Sequence, residues 1–233
     1  MNIALILSGG SGKRVGTEIP KQYLKVQGKM VITYSLRTLI EHDWIDAIQI
    51  VAELSWQEVI LEQLTLLNVN ANKILGFSQP GENRQLSILH GLQDIRKYAN
   101  GDDFVIIHDA ARPMLSKKQI TDCFNGAWGH DGAMPVLPMK DTVYLSNNGL
   151  SVSELIDRSS IFAGQAPEVF RLNKYYEANL NLLPDQILRI NGSTEPAILM
   201  GLDVVMVPGE ENNFKITTLN DLKRFQDIIK MEG

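Results

Sequence analysis

Short apolar runs alternate along the chain with longer segments in which apolar residues recur every three or four positions. The short runs predict strands, and the longer segments predict amphipathic helices. The predicted strands are residues 3–7, 47–52, 73–77, 104–107, 133–137 and 204–207. The predicted helices are residues 31–41, 56–67, 85–98, 117–128 and 219–230. Because strands and helices alternate and most of the strands are nearly continuous apolar runs, the pattern predicts an α/β fold in which helices cover both faces of a mostly parallel, twisted sheet.

Residues 139–160 interrupt this alternation with a polar segment. Asn147, Asn148 and Gly149 lie at its middle, between two runs of partly alternating apolar residues. An Asn-Gly turn between such runs predicts a β-hairpin. We expect the hairpin to project from the body as an arm that pairs with a second subunit in a homodimer. No repeat or linker divides the sequence, so residues 1–233 are expected to form a single domain.

Charge and composition narrow the class of protein. The chain has 233 residues and a formal net charge of −5, from 22 Lys and Arg against 27 Asp and Glu. General nucleic-acid binding needs a basic face, so nucleic acid is not an expected partner. No apolar run approaches the ~18 residues that cross a bilayer, and the run at residues 3–7 is too short for a secretion signal. The sequence therefore predicts a cytoplasmic protein with no membrane partner.

A glycine-rich loop follows the first predicted strand. Residues 8–14, SGGSGKR, combine small residues, whose backbone N–H groups can approach a phosphate closely, with Lys13 and Arg14. The loop does not fit the G-x-G-x-x-G dinucleotide pattern, and a Walker A loop would need Ser or Thr after Lys13. Residues 20–22, PKQ, add Lys21. These residues alone support a phosphate-binding loop and an ordinary strand–turn–helix with solvated charges about equally.

Two motifs, GGSGKRVG at residues 9–16 and PKQYL at residues 20–24, resemble the signature of nucleotidyltransferases that activate sugar and polyol phosphates. They are most similar to the cytidylyltransferases that act on 2-C-methyl-D-erythritol 4-phosphate or ribitol 5-phosphate. Further motifs of that family follow in order at residues 81–87 (GENRQLS), 108–113 (HDAARP), 140–142 (KDT), 157–158 (DR), 165–170 (QAPEVF) and 213–222 (NFKITTLNDL). The resemblance thus covers nearly the whole chain, and ordered agreement of this many motifs does not arise by chance.

The resemblance implies a Rossmann-like fold of the nucleotide-diphospho-sugar transferase type and transfer of CMP from CTP to a polyol phosphate, with release of pyrophosphate. Such a reaction brings two anions together. The acceptor phosphate is already ionised near neutral pH, so catalysis needs positioning and positive charge rather than a strong base. Mg²⁺, held mainly by triphosphate oxygens and water, is the expected cofactor.

The resemblance also implies roles for individual residues. The catalytic cations would be Arg14, Lys21 and Lys215. The nucleotide-binding residues would be Ser8, Gly9, Gly10, Ser11, Gly12, Gly81, Arg84, Ser87 and Ala110. Asp109 would bind acceptor hydroxyls or lie near the metal. Thr142 and Arg158, on the arm, would reach the acceptor phosphate of the neighbouring subunit, which makes dimerisation part of the active site.

Two motifs depart from the family pattern. The family's QTPQ reads QAPE at residues 165–168, which removes a threonine hydroxyl at Ala166. Its TDE reads STE at residues 193–195, which puts Thr194 where an acid usually stands. Both changes lie where the acceptor, or the segment around it, is shaped, so they bear on acceptor identity more than on nucleotide binding.

Several functions stay open at this point. The acceptor that leads is 2-C-methyl-D-erythritol 4-phosphate, because HDAARP and the arm motifs resemble that branch most, and ribitol 5-phosphate is a near rival. A non-catalytic nucleotide-binding protein of the same fold predicts loss of a key cation, whereas Arg14, Lys21 and Lys215 are all present. A dinucleotide oxidoreductase is disfavoured by the glycine pattern.

Overall fold

The structure is a computed structural model that describes residues 1–10 and 19–232. Its strands are β1 (Asn2–Leu7), β2 (Lys25–Val26), β3 (Lys29–Met30), β4 (Ala47–Val51), β5 (Ile74–Ser78), β6 (Phe104–Asp109), β7 (Gly132–Pro138), β8 (Val143–Leu145), β9 (Glu154–Ile156), β10 (Phe162–Gly164), β11 (Glu168–Arg171) and β12 (Val204–Pro208). Its helices are α1 (Val31–Ile40), α2 (Leu54–Leu66), α3 (Arg84–Ile95), α4 (Lys117–Ala127), α5 (Leu172–Leu180), α6 (Glu195–Leu199) and α7 (Leu219–Glu232). Each predicted strand and helix is present, with its ends displaced by no more than a few residues. Strands β2, β3, β10 and β11 and helices α5 and α6 have no counterpart in the sequence-based prediction.

The central sheet mixes parallel and antiparallel pairs. Its strand order is β10-β7-β11-β6-β1-β4-β5. Strands β10 and β11 pair with successive parts of one edge of β7, and β12 pairs with the opposite edge. Strand β1 is parallel to β4 and β6, β4 is parallel to β5, and β7 is parallel to β12. Strands β10 and β11 run antiparallel to their neighbours. The prediction of a mostly parallel sheet is therefore confirmed, with β11 inserted between β6 and β7 as an antiparallel strand.

Helices pack on both faces of this sheet, as predicted. Ile3 and Leu5 of β1 pack with residues of α3 and α5, whereas Ala4 and Ile6 face the opposite side and pack with residues of α1, α2 and α4. Strands β4 and β6 are buried along their whole length. Burial on both faces explains why these strands are continuous apolar runs in the sequence. Across the described ranges, none of the helices combines the length and the apolar character that crossing a bilayer requires.

The loops that carry the motifs lie along one edge of the sheet, the edge formed by the carboxyl ends of its parallel strands. The parallel register pairs Leu7, the last residue of β1, with Val51 at the end of β4 and with Asp109 at the end of β6. The loops that follow β1, β5 and β6 therefore meet at this edge. Crevices outside the carboxyl ends of parallel strands are where open α/β sheets bind ligands.

The arm contains the predicted hairpin, in which β8 and β9 pair antiparallel as a separate small sheet. Its connection is longer than an Asn-Gly turn and comprises residues 146–153. Gly149 has a φ of 71°, but Asn148 is not in the left-handed region that a type I′ turn requires at both central positions. Asn148 instead accepts hydrogen bonds at Oδ1 from the backbone N–H groups of Leu150 and Ser151. The asparagine side chain therefore shapes the loop.

Candidate active site

The glycine loop after β1 is held by the side chain of Gln22. Its Nε2 donates hydrogen bonds to the carbonyl oxygens of Ser8 and Gly10, both at 2.7 Å. The hydroxyl of Tyr23 donates to the carbonyl of Ser8 at 3.0 Å and accepts from Ser8 Oγ at 2.8 Å. Both residues belong to one 3-10 turn, Lys21–Tyr23. This arrangement explains why Gln22 and Tyr23 follow the loop at this spacing.

Glycines allow the loops after β1 and β5 to pack closely. A Cβ atom at Gly9 would lie 2.5 Å from Cβ of Pro80, and a Cβ atom at Gly81 would overlap Leu86. At Gly10, in contrast, no atom of the described residues beyond its chain neighbours lies within 4 Å of the position of a Cβ atom. Gly10 thus leaves room beside its backbone as far as residues 1–10 and 19–232 are concerned, and its N–H group is a candidate contact for a ligand.

The N-terminus of α3 lies at the same edge. Asn83 caps the helix, because its Oδ1 accepts a hydrogen bond from the backbone N–H of Leu86 at 2.8 Å. Ser87 Oγ accepts from the backbone N–H of Gly81 and donates to the carbonyl of Asn83, both at 2.9 Å. These bonds close residues 81–87 into one compact turn. A helix N-terminus that borders a cavity favours an anion there.

Asp109, the last residue of β6, is the centre of a cluster of charges. Its Oδ1 lies 3.1 Å from both Nε and Nη2 of Arg84, and its Oδ2 lies 2.9 Å from Nζ of Lys215. Nε of Arg112 lies 3.6 Å from Oδ2. Burial favours the neutral carboxyl, but Arg84, Lys215 and Arg112 outweigh burial and hold the pKa of Asp109 far below its ordinary value. The carboxylate is therefore ionised at neutral pH.

The segment that carries Lys215 is fixed on both sides. Nδ2 of Asn213 donates to the carbonyl of Ala166 at 2.7 Å. The backbone N–H of Ile216 donates to the carbonyl of Ala111 at 2.8 Å. These bonds attach the segment before α7 to the turn after β6 and to the connection between β10 and β11. Lys215 is thereby held at the cavity although it is distant in sequence from the other site residues.

His108 and Arg112 serve this framework. The carbonyl of Arg112 accepts a hydrogen bond from Nε2 of His108 at 2.9 Å. Nη1 of Arg112 donates to the carbonyl of Asn213 at 2.7 Å. Burial lowers the pKa of His108 to about 4, so its ring is neutral at pH 7. Both side chains connect backbone segments, and neither of them lines the cavity.

These elements border a cavity of about 480 Å³. It is lined by Leu7, Gly9, Gly10, Lys21, Gln22, Gly81, Glu82, Asn83, Arg84, Ser87, Asp109, Ala111 and Lys215. The fold thus brings together the glycine loop, the PKQ motif, the start of α3, the end of β6 and the segment before α7. Most of the described residues that the resemblance assigned to nucleotide binding and catalysis line this one cavity.

The other predicted site residues lie elsewhere. Ser8 and Ala110 are buried, with 2% and 0% of their surface exposed, and do not line the cavity. Thr142 and Arg158 are exposed on the arm, away from the cavity wall of their own chain, and Nη1 of Arg158 donates to the carbonyl of Lys140 at 2.7 Å. The predicted residues Ser11, Gly12 and Arg14 lie outside the described residues.

Gln22, Asn83 and Ala111 line the cavity although the sequence alone assigned them no role. Two of them carry a recognisable signal. Gln22 belongs to the PKQ motif, and Asn83 precedes an amphipathic segment, where asparagine is a preferred helix cap. Ala111 has no such signal, because its place depends on how the chain turns after β6.

The whole chain matches a known family. A family model for 2-C-methyl-D-erythritol 4-phosphate cytidylyltransferase matches residues 2–231. The chain belongs to this family. The match confirms the resemblance of the sequence motifs and the class of enzyme: the protein is a nucleotidyltransferase of the cytidylyltransferase type.

Individual members of the cytidylyltransferase family cover the chain from end to end. A 2-C-methyl-D-erythritol 4-phosphate cytidylyltransferase of Thermotoga neapolitana is 31% identical, over 99% of this chain and 97% of the relative. A ribitol-5-phosphate cytidylyltransferase of Streptococcus agalactiae serotype Ia is also 31% identical, over 98% of this chain and 95% of the relative. The crystal structure of 2-C-methyl-D-erythritol 4-phosphate cytidylyltransferase of Francisella tularensis matches with a TM-score of 0.80 and 25% identity, over 97% of this chain and 99% of that one.

The donor set at the cavity fits a divalent ion that arrives with the nucleotide. Asp109 and Glu82 are the acids in the lining. Within residues 1–10 and 19–232, no group of three or more His, Cys, Asp or Glu residues is arranged to hold a metal ion. Mg²⁺ commonly binds through one or two carboxylates together with substrate phosphates and water, which matches this lining.

Replacing Gln22 with alanine removes both hydrogen bonds by which its side chain holds the glycine loop. Each bond contributes about 1 kcal/mol. We therefore expect Gln22→Ala to unfold at a lower temperature and to bind CTP roughly tenfold more weakly. Isothermal titration calorimetry measures the binding, and thermal unfolding measures the stability.

Gln57→Ala is the matched control, because Nε2 of Gln57 donates to the carbonyl of Ala52 at 3.1 Å and does not line the cavity. It should keep the CTP affinity of the wild type. Equal CTP affinity of Gln22→Ala and the wild type would contradict the role of Gln22 in holding the loop.

Proposed function

We propose that this cytidylyltransferase transfers CMP from CTP to the phosphate group of a small polyol phosphate. An oxygen of the acceptor phosphate attacks the α-phosphorus of CTP, and the bond from that phosphorus to the bridging oxygen breaks. The products are a CDP-polyol and pyrophosphate. The observation that carries the proposal is the convergence of Lys21, Arg84 and Lys215 on one cavity at the carboxyl edge of the sheet.

Positive charge is what this reaction requires from a protein. The acceptor phosphate is already an anionic nucleophile, so the barrier comes from bringing two anions together and from charge that develops on the leaving group. Fixed cations lower that barrier because they are in place before the charge develops. Around Asp109, one carboxylate faces the cations of Arg84, Arg112 and Lys215, which leaves positive charge for phosphate groups.

Lys215 is the cation that we place at the α-phosphate and the acceptor. Asp109 holds its Nζ at 2.9 Å, so much of the freedom of this long side chain is already lost before substrate arrives. Lys21 is 9% exposed and lies on the turn that holds the glycine loop, where we place the triphosphate. Arg14 is assigned to the triphosphate as well and lies outside the described residues.

Backbone groups complete the proposed nucleotide site. Gly9 and Gly10 border the cavity, where their N–H groups would contact phosphate oxygens. Gly81 and Ser87 line it beside the N-terminus of α3 and are placed at the cytosine. The bonds within this turn fix its backbone, and its remaining polar groups would meet the edge of a pyrimidine.

Mg²⁺ is the proposed cofactor. Asp109 is the residue that would contribute a carboxylate oxygen, with phosphate oxygens and water as the other ligands. When bound, the ion neutralises charge on the triphosphate and on the departing pyrophosphate. Arg84 and Lys215 keep the same carboxylate oriented at the cavity wall.

The acceptor that we propose first is 2-C-methyl-D-erythritol 4-phosphate. The family model is named for this acceptor, and residues 108–113 resemble the same branch. Ribitol 5-phosphate is the rival, because relatives named for each acceptor have the same 31% identity to this chain. The departures at residues 165–168 and 193–195 support keeping both in the test.

A pyrophosphate-release assay with CTP, Mg²⁺ and each polyol phosphate tests the proposed reaction. We expect kcat/KM with 2-C-methyl-D-erythritol 4-phosphate to exceed that with ribitol 5-phosphate by roughly tenfold or more, since a polar site discriminates strongly between hydroxyl patterns. The reverse order would make ribitol 5-phosphate the acceptor. CTP binding without release of pyrophosphate in the presence of any of the polyol phosphates would overturn the proposed reaction and favour the non-catalytic nucleotide-binding protein.

Lys215→Ala is the mechanistic control in the same assay. Loss of a cation that stabilises the transition state should lower kcat by roughly 100-fold to 1,000-fold without unfolding the protein. Lys223→Ala, which removes an exposed lysine of α7 that does not line the cavity, should keep the wild-type kcat. Normal turnover in Lys215→Ala would contradict the proposed mechanism.

We also propose that two copies of the chain pair through the arm, residues 139–160. Arm side chains that are apolar and more than half exposed are Tyr144, Leu150, Val152 and Leu155. Tyr144 and Leu155 are paired across β8 and β9, and exposed apolar side chains grouped in this way favour an interaction site. A second copy would cover it and would bring Thr142 and Arg158 to the acceptor phosphate bound by its neighbour.

Arg158→Ala tests this shared site by steady-state kinetics. We expect the KM for the acceptor to rise and the KM for CTP to stay unchanged, because Arg158 would contact only the acceptor phosphate. After subunit exchange with Lys215→Ala protein, acceptor use should recover, since one site of each mixed dimer contains both intact residues. An unchanged acceptor KM, or no recovery after exchange, would contradict a site built from two subunits.

A further inference from the structure

The side chain of Gln165 binds both backbone groups of one residue on a distant segment. Gln165 directly follows β10 and is 7% exposed. Its Nε2 donates a hydrogen bond to the carbonyl of Glu210, and its Oε1 accepts one from the backbone N–H of Glu210, both at 3.0 Å. The amide therefore makes the two hydrogen bonds that a residue of an adjacent antiparallel strand would make. In this way it fixes Glu210, which lies beyond the end of β12.

The backbone beside Glu210 approaches this amide closely. A Cβ atom at Gly209 would lie 2.5 Å from Oε1 of Gln165 and 3.0 Å from the carbonyl oxygen of Val136. Glycine is the residue that leaves room for such an approach. The backbone N–H of Gly209 donates to the same carbonyl at 2.8 Å, and the backbone N–H of Gln165 donates to the carbonyl of Pro135 at 2.8 Å. Both segments are thereby held against β7, which contains Pro135 and Val136.

The residues after Glu210 form a turn that returns to the connection between β10 and β11. The carbonyl of Glu210, which accepts from Gln165, also accepts from the backbone N–H of Asn213 at 3.0 Å. Asn213 is fully buried, and its Nδ2 donates to the carbonyl of Ala166 at 2.7 Å. Because Gln165 and Ala166 are adjacent, two successive residues of the connection hold both ends of the turn at residues 210–213.

This turn leads directly to Lys215. A single residue, Phe214, separates Asn213 from Lys215, whose Nζ lies 2.9 Å from Oδ2 of Asp109 at the cavity. The place of Nζ depends on where the backbone of Lys215 is fixed, because a side chain has a limited reach. A displacement of about 1 Å at a group that acts on the reacting atoms can slow a reaction considerably. The hydrogen bonds that hold the turn therefore bear on the chemistry at the cavity.

We propose that Gln165 is a positioning residue that sets the place of Lys215 in the cavity. Gln165 does not line the cavity, so it acts through the turn at residues 210–213 and not through contact with the nucleotide. The inference rests on the proposed function, in which Lys215 faces the α-phosphate and the acceptor. An interaction that is strongest in the transition state affects kcat more than the binding of substrate. Gln165 therefore contributes to kcat more than to the affinity for CTP.

Gln165→Ala removes both hydrogen bonds to Glu210 and tests this role. In the pyrophosphate-release assay with the better of the two acceptors, we expect kcat to fall by roughly tenfold to 100-fold, because Lys215 is no longer held in place. The Kd of CTP, measured by calorimetry, should stay unchanged, since the groups placed at the triphosphate and the cytosine keep their positions. Gln165→Met, which fills the same space without a hydrogen-bonding group, should show the same two results.

A double-mutant cycle with Lys215→Ala shows whether Gln165 acts through Lys215. If it does, adding Gln165→Ala to Lys215→Ala protein should leave kcat unchanged, because the cation that Gln165 positions is already gone. A merely structural role would lower kcat by the same factor in both backgrounds. Gln119→Ala is the matched control: Nε2 of this buried glutamine donates to the carbonyl of Pro208 at 3.2 Å, and pairing with Val136 of β7 also holds Pro208. This control should keep the wild-type kcat.

Equal factors in the two backgrounds would overturn this inference, as would a wild-type kcat in folded Gln165→Ala protein. If Gln165→Ala protein does not fold, Gln165→Met takes its place in the same cycle, and the same two results decide. Failure of the wild type to release pyrophosphate would overturn the proposed function instead. The two failures are therefore distinguishable.

Discussion

The carboxylate of Asp109 is the interaction on which the rest of the site depends. It receives Arg84 from the start of α3, Arg112 from its own turn and Lys215 from the segment before α7. Each cation comes from a different part of the chain, so one buried negative charge fixes their relative positions. Removing a carboxylate from water costs free energy, and its attraction to the three cations offsets that cost. Without the carboxylate, the three cations would repel one another at a place where little water screens them.

The fold places this charge where phosphate-binding groups meet. Strand β6 is buried along its length and ends at Asp109, and its parallel register with β1 brings Leu7 and the glycine loop alongside. Gln22 holds the first residues of that loop through two hydrogen bonds to their carbonyl oxygens. Backbone N–H groups, a helix N-terminus and cations therefore converge on one cavity, which is the combination that binds phosphate in many proteins. The cations and N–H groups around the cavity thus agree with membership in the cytidylyltransferase family.

The alternation of apolar runs was sufficient to predict the main strands and helices, because buried strands and amphipathic helices leave direct periodic signals. Strand β11 leaves none: it is short, and it begins with the buried polar residue Glu168. The motifs located Asp109 and Lys215 at the site, but their ion pair depends on long-range packing that no local pattern contains. The same is true of Gln22, whose partners are backbone carbonyls of another loop.

Thermal unfolding of Asp109→Asn, with and without CTP and in the absence of Mg²⁺, tests the central role of this carboxylate most directly. Asparagine preserves the shape but leaves the three cations without a counter-charge, which should lower the free energy of unfolding by about 3 kcal/mol. CTP should then raise the Tm of the variant more than that of the wild type, because the triphosphate supplies the missing negative charge. A variant as stable as the wild type, or an equal rise in Tm for both proteins, would contradict the account.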